Sequence, residues 1–368
     1  MKRPGKNNTL RVLVLEPYCG GSHRSFLTGL GRLPFRFEFM TLPARKWKWR
    51  MRLSAPYYAE KLHRSGEVFD RIICSTFVDV AAFRGLAPQW TRKVPLLTYF
   101  HENQFAYPTQ IDDERDFHFA LTNMTTALAS DSLAFNSKYN LSTFLEGIDG
   151  LLKRSYDLKI GNTCEIISAR SRVLAPGIDF SAIDRADRPG RGGAPVILWN
   201  HRWEHDKDPG LFFNALFELE RSGIDFRLVV LGESFKGRPD IFDDAREKLS
   251  HRVLHFGYAR SADEYAKWLR QGDTAVSTSL HEFFGISMME AVRAGCCPLV
   301  PDRLSYPELF PKEFLYEDRD LVKRLKHAVM KGKRLSQERA VRLTTPFSWD
   351  TLAPEYESWI RDAAPADQ

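Results

Sequence analysis

Short apolar runs recur along this chain. Each leads into a polar or glycine-bearing turn and then an amphipathic stretch, and this alternation is what most constrains the fold. The first run is Arg11-Val12-Leu13-Val14-Leu15, with a glycine-rich turn close behind it; others are Arg71-Ile72-Ile73-Cys74, Pro95-Leu96-Leu97-Thr98-Tyr99-Phe100 and Ser132-Leu133-Ala134-Phe135. Such runs read as strands buried on both faces. Strands alternating with helical stretches predict a parallel, doubly wound sheet. The Gly-, Pro- and charge-rich stretch Ala186-Asp187-Arg188-Pro189-Gly190-Arg191-Gly192-Gly193 reads as a linker. The alternation then resumes at Pro195–Trp199, Arg227–Leu231, Val253–Phe256, Thr274–Ser277 and Cys297–Val300. The expected architecture is α/β, with two Rossmann-like doubly wound domains, 1–185 and 195–346, joined by 186–194. An aromatic amphipathic helix in 347–368 is expected to pack back towards the first domain. Two such halves are expected to face each other across a cleft lined by loops beyond the carboxyl ends of the strands.

Composition bounds the rest. A chain of 368 residues suits two domains, and 43% hydrophobic residues suffice for two cores. No run of about 18 uncharged apolar residues occurs, so no membrane span is expected. Met1–Thr9 is polar and basic and lacks the apolar core of a secretion signal. Cysteines at 19, 74, 164, 296 and 297 match neither zinc spacing nor a disulfide framework. A cytoplasmic setting is the simplest expectation. The net charge of +6 permits an anionic partner. Between Phe39 and Ala59 there is no acidic residue, while Arg45, Lys46, Lys48, Arg50 and Arg52 cluster there with Trp47 and Trp49. Cations can neutralise phosphates and exposed indoles can stack on bases. The plainer reading is a loop with solvated bases and tryptophans anchored in the core. No long helical stripe is evident in 45–52.

The most pointed motif is His281-Glu282-Phe283-Phe284-Gly285-Ile286-Ser287-Met288-Met289-Glu290-Ala291, two carboxylates eight positions apart around an aromatic-glycine step that opens an apolar helix. A helix start presents unpaired N–H groups and partial positive charge, which suits an anion. Gly285 permits close backbone approach, and carboxylates on either side suit hydroxyls. That layout fits a nucleotide-sugar; an ordinary capped helix fits it too.

Four further turns follow predicted strands. Glu16-Pro17-Tyr18-Cys19-Gly20-Gly21-Ser22-His23 pairs Gly20 and Gly21 ahead of a helix, without the G-x-G-x-x-G spacing of a dinucleotide site. His101-Glu102-Asn103-Gln104 sets four polar residues behind an apolar strand, where they are expected at a cleft mouth. Within Asn200–Pro209, Arg202 and Lys207 can converge on a diphosphate, or belong to a surface ion-pair cluster with Glu204, Asp206 and Asp208. Gly232 and the Gly257-Tyr258 pair follow two strands and can receive a nucleobase, or simply end those strands. No P-loop motif occurs. Asp318-Arg319-Asp320 lies far from these motifs, and Lys207 between Asp206 and Asp208 competes with a bound cation, so no metal is expected. Cationic side chains and a helix dipole can stabilise charge instead.

These strings resemble a known family. Glu282…Glu290 looks like the E-x7-E signature of retaining GT-B glycosyltransferases of the GT4 type, and Arg202…Lys207 resembles their diphosphate clamp. The segments 16–23, 42–50, 99–104, 201–209 and 281–285 are similar to the tRNA-queuosine α-mannosyltransferase family, a resemblance running from about Leu10 to Trp349. It implies transfer of mannose from GDP-mannose, with retention, to queuosine at the wobble position of a tRNA, tRNA-Asp being the first candidate. By position it implies that Arg202 and Lys207 hold the diphosphate and that Phe284, Gly285 and Ile286 offer N–H groups to the donor. Glu282 would bind sugar hydroxyls, Glu290 the ribose, and His101 would lie near the reacting centre. Gly20 and Gly21 would approach the donor from the acceptor-binding N-terminal domain, and Gly232, Gly257 and Tyr258 would line the donor site of the C-terminal one. Segment 45–52 becomes a candidate tRNA contact. GDP-mannose is then a co-substrate, and no cofactor is expected. A GT-B enzyme with a lipid or small-molecule acceptor and a non-catalytic RNA-binding module on this fold remain the rival readings.

Overall fold

The computed structural model describes residues 9–107, 117–154, 157, 160–190, 192–235, 237–332 and 334–365. The chain divides into two compact units, Met1–Ile178 with Trp349–Gln368, and Asp179–Ser348. Residues 1–8, 366–368 and Arg191 of the expected linker lie outside the described residues.

The first unit holds strands β1 (Arg11–Cys19), β2 (Arg36–Pro43), β3 (Arg71–Ser75), β4 (Leu96–Phe100), β5 (Ser132–Phe135) and β6 (Ser171–Val173). They form one parallel sheet in the order β2-β1-β3-β4-β5-β6. The second unit holds β7 (Val196–Asn200), β8 (Arg227–Leu231), β9 (Val253–Gly257), β10 (Thr274–Val276), β11 (Cys297–Pro301) and β12 (Leu315–Tyr316). They too form a parallel sheet, in the order β12-β11-β10-β7-β8-β9. Each sheet starts in its middle and winds outward both ways. The strand order therefore reverses between β1 and β3 in one sheet and between β7 and β10 in the other. Loops leaving the carboxyl ends of such strands diverge and leave room for a ligand.

The nine runs read as strands coincide with β1, β3, β4, β5 and β7–β11. The three unread strands are all at sheet edges. β2 is mostly exposed, and β6 and β12 span three and two residues. Edge strands bury too little to carry an apolar run.

The domain boundary falls at Ile178/Asp179, ahead of the expected linker, and the helix Ser181–Arg185 goes with the second unit. Polar anchors explain this. Arg270 Nε and Nη2 donate to Ile183 O at 3.0 and 2.7 Å, and Arg293 grips Asp184 through two bonds of 2.7 Å. Composition marked the linker stretch but not the helix tethered before it.

A second difference concerns segment 45–52. It opens a 19-residue helix, Trp47–Ser65, rather than a loop. The buried stripe Met51, Ala55, Tyr58 and Leu62 follows helical spacing but begins only towards the end of the basic run. The cations therefore hid the helix start.

The C-terminal helix Trp349–Asp362 belongs to the first unit and buries Trp349, Leu352, Tyr356, Trp359 and Ile360. Trp349 lies on glycines: a Cβ on Gly29 would come within 1.9 Å of its ring, and one on Gly177 within 2.3 Å. Tyr356 donates to Ala175 O at 2.8 Å, and Trp359 Nε1 donates to Ser132 Oγ at 3.0 Å. Among the described residues no helix is long and apolar enough to cross a membrane. Trp349→Ala is expected to destabilise the first unit by about 3–5 kcal/mol, because a large ring would leave a void between two glycine-lined surfaces. Urea unfolding of the variant against the parent chain measures it.

Candidate functional site

In the second unit, β7 and β10 flank the reversal point, and their loops carry most of the residues singled out from sequence. The β7 loop ends where Asp208, at φ +44°, accepts a hydrogen bond from Leu211 N at 3.1 Å and Pro209 opens the next helix. This cap-and-proline start is rigid. It leaves Lys207 only 6% exposed. Lys207 Nζ donates to His281 O at 2.6 Å and lies 3.2 Å from Asp206 Oδ2 and 3.4 Å from Glu282 Oε2. Further bonds stitch the loops together: Thr278 Oγ1 donates to Lys207 O at 2.8 Å, and Leu280 N to Asp206 O at 2.8 Å.

The electrostatics follow from this packing. Burial alone would lower the Lys207 pKa, but Glu282 and Asp206 outweigh it and hold the ammonium above its usual range. Burial pushes Glu282 up, yet Lys207, His201, His281 and the Phe284 N–H together bring its carboxyl below the usual range. His201 and His281 are each pushed down to about 4, first by burial and then by Lys207. The two imidazoles are therefore neutral at neutral pH. Arg202 is more exposed, with its guanidinium 3.0 Å from Glu204 Oε2. The ion-pair reading and the anion-clamp reading thus share the same residues.

Gly285 has φ +99°, and a Cβ there would meet the Tyr306 ring at 3.0 Å. Only glycine enters the helix Ile286–Arg293 this way without strain. Phe284 is buried against Phe347 at 5.4 Å, and its N–H points to Glu282 Oε1 at 3.4 Å. One turn into the helix, Glu290 Oε2 accepts from Tyr265 Oη at 2.8 Å, and burial pushes its carboxyl up to about 7. Asn200 Nδ2 joins Tyr265 Oη at 3.2 Å to Ser287 O at 2.8 Å, and Ser287 Oγ lies 3.4 Å from His201 Nδ1. Asn200, His201 and Tyr265 thus link the two glutamates' surroundings, and sequence gave them no role. Tyr265 lies inside an amphipathic helix, and no spacing signal distinguishes it. Gly232 adjoins the same loop: a Cβ on it would lie 1.9 Å from His201 O. Its N–H donates to Gly257 O at 3.1 Å, and Tyr258 beyond it is exposed. All the expected donor-side residues of this unit therefore lie at one end of its sheet.

In the first unit, Gly20 and Gly21 end β1 and open the helix Gly21–Leu30. A Cβ on Gly20 would lie 2.6 Å from Ala44 Cβ. His101 follows β4, and its carbonyl accepts from Asn136 Nδ2 at 2.7 Å. Of the polar string behind β4, Asn103 is not at an open mouth. It is fully buried, bonded to Asn140 and to the backbone of Phe105 and Ala106. It is a pin for the loop, because a buried amide needs all its partners.

The tryptophans of 45–52 divide between the two readings. Trp47 packs against Phe119 at 5.1 Å and is an anchor, whereas Trp49 is 64% exposed. Arg45, Lys46, Lys48 and Arg52 are exposed as well. Arg52 lies over the Phe119 ring, and half-buried Arg50 donates to Pro43 O.

Two doubly wound parallel units, one carrying an anion-suited helix start between hydroxyl-suited carboxylates, define a glycosyltransferase of the GT-B class. Solved structures agree on the fold. A sucrose-phosphate synthase from Thermosynechococcus elongatus superposes with TM-score 0.71 at 14% identity, covering 96% of this chain and 99% of that one. The catalytic domain of starch synthase IV from Arabidopsis thaliana, bound to ADP and acarbose, gives 0.70 at 15% identity, with 97% and 99% covered. Residues 11–178 match the family described as tRNA-queuosine alpha-mannosyltransferase N-terminal, and 181–340 match glycosyl transferases group 1. A tRNA-queuosine alpha-mannosyltransferase of Drosophila melanogaster is 33% identical over 362 residues, 94% of this chain and 95% of the relative. The chain belongs to the tRNA-queuosine α-mannosyltransferase family.

Glu290 gives a test that needs no substrate. Its folded pKa of about 7 lies above the ordinary carboxylate value, so the native state holds a proton that the unfolded chain releases. Stability should be highest below pH 4.5 on this account and fall as pH rises to about 7. The loss is on the order of 3 kcal/mol. Glu290→Gln should remove that slope, which denaturant midpoints between pH 5 and 8 measure.

Proposed function

We propose that this protein transfers mannose from GDP-mannose to queuosine at the wobble position of a tRNA, tRNA-Asp first among candidates, with retention at the anomeric carbon. The observation that carries this reading is the buried Lys207 ammonium, held by Glu282 beside the glycine-opened helix at the reversal point of the second sheet. Family membership supplies the choice of sugar and acceptor.

The residues fall into roles by their chemistry. Arg202 and the opening N–H groups of the helix Ile286–Arg293 attract the diphosphate. Lys207 Nζ donates to His281 O and to Glu282 Oε2, and Asp206 Oδ2 stands 3.2 Å away as an ion-pair partner. The contact to Glu282 is the longest, so it is the one exchanged on binding. Lys207 then turns a proton to a phosphate oxygen, and Glu282 takes a sugar hydroxyl. Glu290, once ionised, accepts from the ribose. Gly232, Gly257 and Tyr258 receive the nucleobase. In the first unit Gly20 and Gly21 approach the donor, and neutral His101 accepts a hydrogen bond at the sugar.

The acceptor hydroxyl attacks the anomeric carbon on the face from which the diphosphate departs. The C–O bond to phosphate breaks as the new glycosidic bond forms, and the hydroxyl proton goes to a departing phosphate oxygen. Lys207 and Arg202 stabilise the charge on the leaving group, which is the task a metal performs in other enzymes. The tRNA lies on the exposed cations Arg45, Lys46, Lys48 and Arg52 with Trp49 among them, and Arg50 and Trp47 brace that surface from behind. The five free cysteines suit a reducing, cytoplasmic setting.

Incubation with GDP-mannose and tRNA bearing or lacking queuosine, followed by mass spectrometry of the nucleosides, is expected to show hexose addition on queuosine alone. No addition with any nucleotide-sugar rejects the proposal. Lys207→Ala should lower the rate by on the order of a hundredfold, through loss of a cation from the transition state. Replacing Lys48 and Arg52 by Ala should reduce the slope of log affinity for tRNA against log salt by roughly 2, while affinity for the nucleoside diphosphate stays as it was.

A further inference from the structure

The reaction as proposed leaves one buried charged group of the first unit without a task. Glu16, in β1, is 2% exposed, and His23, in the first turn of the helix Gly21–Leu30, is 7% exposed. Glu16 Oε1 accepts from Tyr18 N at 2.8 Å, and Oε2 from His23 Nδ1 at 2.9 Å. The other side of the imidazole meets His101, the two ring centroids standing 4.1 Å apart with 36° between planes. His101 is enclosed further by Tyr99 at 4.6 Å and Phe26 at 4.8 Å, both edge-on. Phe77 meets His23 edge-on at 5.5 Å and stacks on Tyr18 at 5.1 Å. All these residues sit on or beside the strands at the reversal point of the first sheet.

We propose that Glu16 and His23 form a positioning pair that fixes the ring of His101 for glycosyl transfer. The inference rests on the role given to His101 above. A carboxylate bonded to one nitrogen of an imidazole sets the tautomer and the plane of the ring. Through their close, tilted ring contact, that plane in turn limits the orientations open to His101, whose carbonyl is already tied to Asn136. A mere counterion for Glu16 would need only the 2.9 Å bond and not the ring contact.

The pair also governs charge. Burial holds the His101 pKa well below its usual range, and the charge of His23 lowers it further. The other titratable groups near His101 are Glu16 from β1 and Tyr99 from β4, while Tyr18 meets His23 edge-on at 6.2 Å. Tyr356 stands behind Tyr99 at 3.2 Å, and Glu102 is the next residue along, bonded to Gln104. Both buried phenols are pushed upward by burial and stay neutral. An uncharged His101 accepts a hydrogen bond and does not oppose positive charge growing on the sugar. Ligand atoms of Glu16, His23 and His101 all lie within 4.8 Å of one another, so a divalent cation is the competing occupant of the same cluster.

Three measurements on the full chain decide the matter. With ring-labelled histidine, NMR titration of His101, assigned through His101→Gln, is expected to move to higher pH in His23→Gln. In the same variant kcat should fall roughly tenfold with the donor KM within about twofold, and the acid limb of the rate profile should move the same way. Glu16→Gln, which keeps an acceptor for Tyr18 N, should also lower kcat while KM holds. Thermal melts confirm that both variants fold. An unmoved His101 titration, or a rate loss equal at every pH, overturns the proposal. So does one equivalent of divalent metal in the parent chain that His23→Gln loses. The titration and the metal content require no turnover, so they judge the pair even if transfer to queuosine is never seen.

Discussion

The buried ammonium of Lys207 is the interaction around which the second unit's loops are built. Taking a lysine charge out of water costs several kcal/mol unless it is fully paired. Here the peptide oxygen of His281 and the carboxylates of Asp206 and Glu282 offset that cost. Because the partners come from the loops after β7 and β10, meeting the charge also fixes those loops to each other. Glu282 and Gly285 are then held at the mouth of a helix. The same charge lowers the pKa of His201 and His281 and keeps Glu282 ionised. Removing Lys207 would leave two carboxylates buried together, so its loss is structural as well as chemical.

Glu282 and Glu290 show how environment separates two like groups in one motif. Glu282 faces a cation and is held below its ordinary value. Glu290 has a phenol for a partner and burial pushes it up to about 7. A carboxylate poised near neutrality can change its charge with a small change in its surroundings. The first unit solves a related problem differently, surrounding His101 with aromatic rings and a Glu–His pair and leaving its carbonyl as the tether.

Much of the fold was legible because parallel sheets buried on both faces write themselves as apolar runs. β5 and β8 were readable to the residue for that reason. β6 and β12 were not, since two or three residues at an edge bury almost nothing. The helix Trp47–Ser65 escaped notice because two cations precede it and three more fall in its first turn and a half, while its buried stripe starts at Met51. The boundary at Ile178 was invisible because it depends on Arg270 and Arg293 reaching back to residues 183 and 184.

The sequence by itself determined the strand-helix alternation, the glycine that opens the helix at 286, and the spacing of the two glutamates. These are local matters of periodicity and backbone geometry. It did not determine which polar residues are pins and which are working groups. Asn103 and His101 stand two apart in one string, yet one is locked in a buried amide network and the other faces an imidazole. Nor could it pair Glu16 with His23, Tyr265 with Glu290, or Lys207 with Glu282. The first is set by the turn between a strand and its helix, whereas the last joins residues 75 positions apart, which meet because the winding of a parallel sheet returns distant loops to one end.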